Sequence, residues 1–156
     1  MLSAISRDSC WSKLDQLIRL QVNDTFIDLD YDSLVEWWTS EVHSYHEAGY
    51  FQTRLIEYQG AVAGIVDMQW VNLRASEPEP LDIPEIGYWL AKEFRGRGLA
   101  TFAVKSLIEL YGYPSYQARV HTHNMHSQGV LLRCGFSKID YDEITEHHLY
   151  QWNQVK

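Results

Sequence analysis

Apolar residues recur every three or four positions in the first third of the chain, which predicts two amphipathic helices. The first spans residues 8–23 and places on one face Trp11, Leu14, Leu17, Ile18 and Val22. The second follows Asp32 or Ser33, either of which can serve as its N-cap, and Gly49 ends it.

From residue 50 onward the pattern changes to short runs rich in β-branched and aromatic residues, which is typical of strands. Residues 50–59 and 61–71 form two predicted strands, joined by a tight connection at Gly60. Residues 74–84 are acidic and rich in proline, which predicts a loop. The next segment, "EIGYWLA" at 85–91, alternates well enough to predict a strand.

Helices and strands alternate in the second half of the chain. A helix is predicted up to Tyr111 with Gly112 as its stop, then a strand at 116–123 and a short helix at 127–135. Two further strands form a closing hairpin at 136–142 and 146–152. The order predicts a mixed α/β (α+β) fold on one central sheet, with residues 1–156 as a single domain.

Composition and charge narrow the function classes. A chain of 156 residues fits one domain, and its two cysteines do not make a disulfide framework. The formal net charge of −8 argues against non-specific nucleic-acid binding, which depends on a basic face. Because no apolar run approaches membrane-spanning length and no signal-peptide core is visible, we predict a cytoplasmic protein without a membrane partner.

The helix that ends at Tyr111 begins at a basic, glycine-rich elbow, "RGRG" at 95–98. Glycines at a helix start let a ligand approach backbone N–H groups that lack partners, and the helix dipole there favours negative charge. Arg95 and Arg97 add positive charge in a geometry suited to phosphate. The elbow therefore predicts a pyrophosphate cradle. The alternative is a solvent-exposed glycine turn with surface arginines, and the spacing alone does not decide between them.

Three segments, "EIGYWLA", "RGRGLA" and "HNMHSQGVLLRCGF", follow one another along the chain, and in this order they resemble motifs of the GCN5-related N-acetyltransferases. "RGRGLA" is similar to the acetyl-coenzyme A signature of that family, and "EIGYWLA" before it resembles the fourth strand. "HNMHSQGVLLRCGF" resembles a segment of the RimJ/RimL-like branch. The resemblance covers about residues 84–136. It implies a mostly antiparallel central sheet whose fourth and fifth strands splay apart, flanked by about four helices. The first strand of such a sheet is found only if "LSAIS" supplies it.

The resemblance also implies which residues hold acetyl-coenzyme A (acetyl-CoA), the acyl donor, without any metal. The backbone of Tyr88, Trp89 and Leu90 would pair with the amides of the pantetheine arm. Asn124 would contact the same arm, although it can equally serve as a helix N-cap. The diphosphate would lie against the elbow, formed by Arg95, Gly96, Arg97, Gly98, Leu99, Ala100 and Thr101.

Amine acetylation needs a base that accepts a proton from the protonated acceptor amine. An acid can then protonate the thiolate of coenzyme A as it leaves. Many relatives place a tyrosine acid seven residues after the asparagine, but this chain has Leu131 there. The branch resemblance points instead to Ser127 as a hydrogen-bond donor to the thiolate, with a bond to its own helix as the alternative. Glu85 is the first candidate base and Glu146 the runner-up, and a water-relayed base stays open.

The acceptor is expected to be a primary amine. Four carboxylates before and at the fourth strand would attract a cation, or they form a solvated acidic loop: Glu77, Glu79, Asp82 and Glu85. Three histidines close in sequence could bind zinc: His121, His123 and His126. Because no cysteine or carboxylate completes the ligand set in this segment, we predict no metal. The sequence thus predicts an N-acetyltransferase for a protein N-terminus or a small cationic amine, with a non-catalytic acyl-CoA sensor as the alternative. A homodimer is consistent with the family resemblance.

Overall fold

The computed structural model describes residues 2–4, 11–24, 27–72, 77 and 79–155. Within them, seven strands form one sheet in the order β1-β2-β3-β4-β5-β7-β6. The strands are β1 Leu2–Ala4, β2 Phe51–Tyr58, β3 Ala61–Asn72, β4 Glu79–Leu90, β5 Ser115–His121, β6 Ser137–Asp142 and β7 His147–Asn153. The helices are α1 Trp11–Val22, α2 Tyr31–Glu36, α3 Val42–Glu47, α4 Leu99–Tyr111 and α5 Met125–Arg133. The mixed α+β architecture predicted from the sequence is confirmed.

The first strand is present, and the "LSAIS" segment supplies it. Leu2 pairs with Ile56 in an antiparallel ladder between β1 and β2. Helix α1 follows and buries Leu14, Leu17 and Ile18 as its periodicity predicts. Trp11 and Val22 are 51% and 40% exposed, so the apolar face is narrower than predicted. Both lie at the ends of the helix.

The second predicted helix is one continuous segment with an irregular centre. A π-helical turn, Trp37–Glu41, joins α2 to α3, and Gly49 with φ +77° follows the end. The predicted N-cap at Asp32 or Ser33 is wrong. The cap is Asp30, whose extended backbone lets its carboxylate accept the Ser33 N–H at 2.8 Å.

Strand β4 begins earlier than predicted. The segment assigned to a loop pairs with β3 from Glu79 onward, with Pro80 opposite Val71. Residues 73–76 and 78 lie outside the described residues. Proline lacks an N–H for a sheet ladder, which is why the composition predicted a loop. In the described residues, β4 pairs with β5 at one position only, Glu85 opposite Gln117. The edge of β4 that faces β5 therefore needs few N–H donors, and a proline in β4 is tolerated.

That single pair is also where the sheet divides. The β4–β5 pairing is parallel, whereas the other strand pairings in the described chain are antiparallel. Beyond Glu85, β4 continues to Leu90 along β3, while β5 diverges from it. The predicted splay of the fourth and fifth strands is therefore confirmed.

Helices cover both faces of the sheet. One apolar cluster lies between the sheet and α4 and α5, and includes Leu107 and Leu131. The other lies between the sheet and α1 to α3, and includes Ile18 and Trp38. The two clusters fix the strands on either side of the opening. None of the helices in the described residues has the length and apolar character to cross a membrane.

Candidate active site

A cleft of about 670 Å³ opens where β4 and β5 separate. Both strands contribute residues to it, as do the first turn of α5 and the segments that flank α1 and α4. The lining consists of Asp24, Tyr88, Trp89, Leu90, Arg95, Ala100, His121, His123, Asn124, His126 and Ser127. The lining therefore includes Tyr88, Trp89 and Leu90, whose backbone was predicted to pair with the pantetheine arm. It also includes Asn124 and Ser127 at the start of α5.

The glycine-rich elbow borders a second cavity of about 290 Å³. Its lining is Leu90, Gly96, Gly98, Leu99, Ala100, Thr101, His126, Val130 and Arg133. Because Leu90, Ala100 and His126 also line the main cleft, the two spaces adjoin. A ligand can thus run from the elbow into the gap between β4 and β5.

The elbow has the backbone that such a ligand needs. Gly96 and Gly98 have φ angles of +77° and +75°, in the left-handed region that favours glycine. Gly98 is the N-cap of α4 and has no side chain to bond the N–H groups of the first turn. A Cβ atom built on either glycine meets no described atom within 4 Å. No side chain at these two positions therefore covers the first turn of α4, whose residues border the elbow cavity.

Thr101 adds a second indication that a polar group belongs here. Its Oγ1 is buried and has no hydrogen-bond partner among the described residues, although Thr101 lines the elbow cavity. Buried hydroxyls are nearly always hydrogen-bonded. Free first-turn amides together with an unpartnered hydroxyl match the acceptor oxygens of a diphosphate, so these residues fit coenzyme A.

The two elbow arginines have different surroundings. Arg95 lines the main cleft, where its Nε donates to Leu90 O at 3.0 Å and its Nη2 lies 3.3 Å from Asp24 Oδ2. Arg97 lines neither space, and its guanidinium lies over the Tyr58 ring at 5.6 Å from the centroid. Only Arg95 of the predicted pair is thus positioned beside the cleft.

Asp24 connects the end of α1 to the cleft. Its Oδ2 accepts the Trp89 Nε1–H at 2.6 Å in addition to the Arg95 contact. One carboxylate therefore orients both an indole of β4 and the guanidinium of the elbow. Asp24 was not predicted from the sequence, because its partners lie 65 and 71 positions away.

The opposite wall is formed by the start of α5. Asn124 is the N-cap of this helix, and its Oδ1 accepts the Ser127 N–H at 3.1 Å. Both side chains belong to residues that line the cleft, so the capping role is compatible with the predicted ligand role. Leu131 is fully buried in the core and offers no group to the site.

Tyr88 bridges the two walls with its side chain, whereas the sequence predicted a role for its backbone only. Its hydroxyl donates to the Ser127 carbonyl at 3.0 Å. Burial raises the pKa of Tyr88 to about 12, so the phenol keeps its proton and acts as a donor.

The two candidate bases lie in contrasting environments. Glu85 is 3% exposed, pairs with Arg119 at 3.1 Å and accepts a hydrogen bond from Gln69. It lies outside the lining of the main cleft. Glu146 lies in the turn before β7 with φ +55°, and its Oε2 is 3.5 Å from His121 Nε2. The structure brings Ser127 and His121, but not Glu85, to the cleft.

The other acidic and imidazole residues contribute less. Glu77, Glu79 and Asp82 are exposed and lie outside the cleft lining. The His121 and His123 rings approach to 5.3 Å between centroids. Within the described part of the chain, no group of three or more His, Cys, Asp or Glu side chains is arranged to hold a metal ion.

One titratable residue near the opening was missed. Asp67 on β3 lies opposite Gly87 of β4, and its pKa is raised to about 7, first by burial and then by the charge of Glu85. The available signal was a single carboxylate inside the apolar strand segment "AVAGIVDMQWV", since a charge in a central strand needs a reason.

The family comparison matches residues 17–137 to a model described as an acetyltransferase (GNAT) domain. No curated protein matches the sequence.

Solved structures share the fold at low sequence identity. RimL, a ribosomal α-N-protein acetyltransferase in complex with coenzyme A, is 17% identical, with 97% of this chain and 92% of that chain covered and a TM-score of 0.77. RimJ of Mycobacterium smegmatis is 19% identical, with 97% and 80% covered and a TM-score of 0.75. Spermidine N-acetyltransferase of Vibrio cholerae, in complex with coenzyme A and spermine, is 14% identical, with 99% and 95% covered and a TM-score of 0.73.

Proposed function

Since the chain belongs to the acetyltransferase (GNAT) domain family, whose members are acyl-CoA-dependent N-acetyltransferases, we propose that it moves the acetyl group of acetyl-CoA to a primary amine. The amine attacks directly within a ternary complex of protein, donor and acceptor. RimL and RimJ among the structural neighbours support the RimJ/RimL-like branch.

One observation carries the proposal: the open amides of the elbow adjoin the gap between β4 and β5. The elbow cavity and the main cleft share Leu90, Ala100 and His126, which gives one continuous path. A long ligand with an anionic end and an amide-bearing arm suits that path, because helix N-termini bind anions and exposed strand edges bind extended amides.

The residues have distinct tasks in this proposal. The amides from Gly98 to Thr101 and the Arg95 guanidinium hold the diphosphate, and the open edge of β4 aligns the pantetheine arm. Acetyl-CoA supplies the thioester carbonyl that the amine attacks. Ser127 donates a hydrogen bond where thiolate charge develops, which lowers the barrier without full proton transfer. Tyr88 holds the first turn of α5 at the correct distance from β4 through its bond to Ser127 O.

The acceptor is proposed to be a cationic primary amine, either a protein N-terminus or a small cationic amine. Neighbours of both kinds share the fold: RimL is an α-N-protein acetyltransferase, and the Vibrio cholerae enzyme is a spermidine N-acetyltransferase. The net charge of −8 favours a positively charged acceptor. The same charge argues against a nucleic-acid partner, whereas the cytoplasmic location and homodimer formation stay predictions.

The test combines binding and turnover. Calorimetry with acetyl-CoA measures binding, and release of free thiol is then followed with a panel of peptides with free α-amines, polyamines and aminoglycosides. We expect binding at micromolar concentration and thiol release with at least one amine class. Binding without thiol release from any amine would support the sensor alternative, and absence of binding would contradict both.

A further inference from the structure

The elbow cavity has a second wall, which comes from α5 and carries an arginine. Three residues of this helix line the cavity together with the elbow: His126, Val130 and Arg133. Arg133 is the only lysine or arginine in that lining among the described residues, and neither Arg95 nor Arg97 belongs to it. The guanidinium that shares this cavity with the first turn of α4 is therefore that of Arg133.

The two walls of the cavity are held together by the packing of α5 on α4. Cys134, which follows Arg133, is buried, and its Sγ lies 3.7 Å from the carbonyl oxygen of Thr101 in the first turn of α4. Val130 and Leu99 belong to one buried apolar cluster. The end of α5 is thus fixed beside the start of α4, and Arg133 extends from a packed helix rather than from a loop.

A glycine inside α5 leaves room for the Arg133 guanidinium. A Cβ atom built on Gly129 lies 3.3 Å from Arg133 Nη1 and 4.0 Å from its Cζ. Because helical side chains point toward the N-terminus of their helix, the guanidinium lies one turn back, over Gly129 and on the side of His126. Glycine in a helix interior is less stable than alanine. The space that Arg133 occupies is a physical reason for a glycine at this position.

The Arg133 guanidinium makes no hydrogen bond and no ion pair within the part of the chain that the structure describes. The Arg95 guanidinium, in contrast, contacts Asp24. The Arg97 guanidinium lies over the Tyr58 ring. A guanidinium has five N–H donors, and those of Arg133 are therefore available to an anion in the cavity.

We propose that Arg133 binds a phosphate of acetyl-CoA from the α5 wall of the elbow cavity, and that this phosphate belongs to the diphosphate. The amides of the first turn of α4 donate to the phosphate oxygens from the elbow, and the Arg133 fork donates to them from α5. The 3′-phosphate of coenzyme A has the same chemistry, but Arg133 lines the cavity that the elbow borders, which favours the diphosphate. This inference rests on the proposed function and adds to it a binding residue outside the glycine-rich motif.

The first test is calorimetric titration of acetyl-CoA into Arg133→Gln, which keeps a long polar side chain and removes the charge. We expect the affinity to fall about tenfold, as for the loss of a charge-assisted contact. Thermal unfolding should be unchanged, because the guanidinium has no described partner to lose. Wild-type affinity in Arg133→Gln would overturn the inference.

Arg19→Gln is the matched control for net charge. Arg19 lies on α1, pairs with Asp15 at 2.9 Å and lines neither cavity, so its variant should keep wild-type affinity for acetyl-CoA. If Arg19→Gln and Arg133→Gln lose affinity equally, the effect is one of net charge and the inference is wrong.

3′-Dephospho-acetyl-CoA separates the two sources of phosphate. It keeps the diphosphate and lacks the 3′-phosphate, so Arg133→Gln should weaken its binding by the same factor as that of acetyl-CoA. A loss that appears only with acetyl-CoA would assign Arg133 to the 3′-phosphate and contradict the diphosphate contact.

Arg97→Gln compares the α5 arginine with the second arginine of the elbow. We expect a smaller loss of acetyl-CoA affinity than in Arg133→Gln, because Arg97 lies over Tyr58 and outside both cavities. A larger loss in Arg97→Gln would show that the elbow arginine, and not Arg133, binds the phosphate.

Gly129→Ala tests the position of the guanidinium in a double-mutant cycle. The added methyl crowds Arg133 Nη1 at 3.3 Å and should lower acetyl-CoA affinity about two- to threefold in the wild-type background. It should have no effect in the Arg133→Gln background, and the same loss in both backgrounds would contradict the inference. If the wild-type protein does not bind acetyl-CoA, the proposed function fails. If it binds and Arg133→Gln binds equally well, this inference alone fails.

Discussion

The Asp67 carboxylate makes the stability of the fold depend on pH. Its pKa is raised from 3.8 to about 7 in the folded chain, mainly because burial disfavours the charged form. The stabilisation linked to this group is therefore fully present below about pH 4 and is lost as pH rises through 7.

We expect Asp67→Asn to gain stability relative to the wild type as pH increases. The difference in free energy of unfolding should shift by roughly 2 to 4 kcal/mol in favour of the variant between pH 4 and pH 8.5. Urea unfolding of both proteins across this range measures the shift. A difference that does not depend on pH would show that the Asp67 pKa is not raised.

Asn124 allows the capping and ligand roles to be separated. Asn124→Ala removes the acceptor for the Ser127 N–H and should cost about 1 kcal/mol of stability. Asn124→Asp keeps that acceptor and the stability, but adds a negative charge to the cleft, so it should weaken acetyl-CoA binding. Thermal unfolding and calorimetry on the two variants measure both effects. Equal acetyl-CoA affinity in the wild type and Asn124→Asp would argue against a ligand role.

Individual residues were predictable from the sequence where the reason is local. Gly96 and Gly98 precede a strongly periodic helix, so their position at its start could be inferred from spacing. The burial of Glu85 could not, because its partner Arg119 comes from β5, 34 positions later. Asp67 was missed for the same reason, since its environment depends on which residue of β4 lies opposite.

At the scale of elements, the path of β4 depends on a glycine of β3. Gly64 of β3 lies opposite Leu90, and a Cβ there would be 2.0 Å from Trp89 O and 2.9 Å from Leu90 Cα. These are backbone atoms, which cannot rotate away as a side chain can. Gly64 therefore sets the position of the strand edge proposed to hold the pantetheine arm.

Gly64→Ala should displace that edge. We expect a loss of roughly 1 to 3 kcal/mol in unfolding free energy, as for other overpacked positions, together with weaker acetyl-CoA binding. Chemical denaturation and calorimetry measure the two effects. Wild-type affinity in Gly64→Ala would show that the end of β4 does not contribute to the site.

Element types followed from periodicity, whereas boundaries did not. Helix α4 with its stop at Gly112 and the β6–β7 hairpin lie where the pattern predicts. The start of β4 was wrong because pairing with β3 outweighs the local preference of its prolines. The N-cap of α2 was wrong because Asp30, Asp32 and Ser33 are all good caps, and only the backbone conformation selects one.

At the scale of the whole molecule, two apolar clusters pack on opposite faces of the sheet, on either side of the gap between β4 and β5. The cluster under α4 and α5 fixes β5 and the elbow, and the cluster under α1 to α3 fixes the other face of β4. The sequence predicted the segment from about 84 to 136 well because its three motifs are local. The way Asp24 closes the cleft from the end of α1 depends on long-range packing that no motif encodes.

The central claim is that the amides at the start of α4 bind the diphosphate of acetyl-CoA. Calorimetric titration of acetyl-CoA into Gly98→Glu tests it most directly, since the new side chain fills the elbow and repels phosphate. Gly112→Glu is the matched control, because Gly112 has φ +65° and caps the other end of the same helix, so the backbone strain is comparable. We expect wild-type affinity in Gly112→Glu and a loss of at least about 100-fold in Gly98→Glu. Undiminished binding by a folded Gly98→Glu protein would contradict the account.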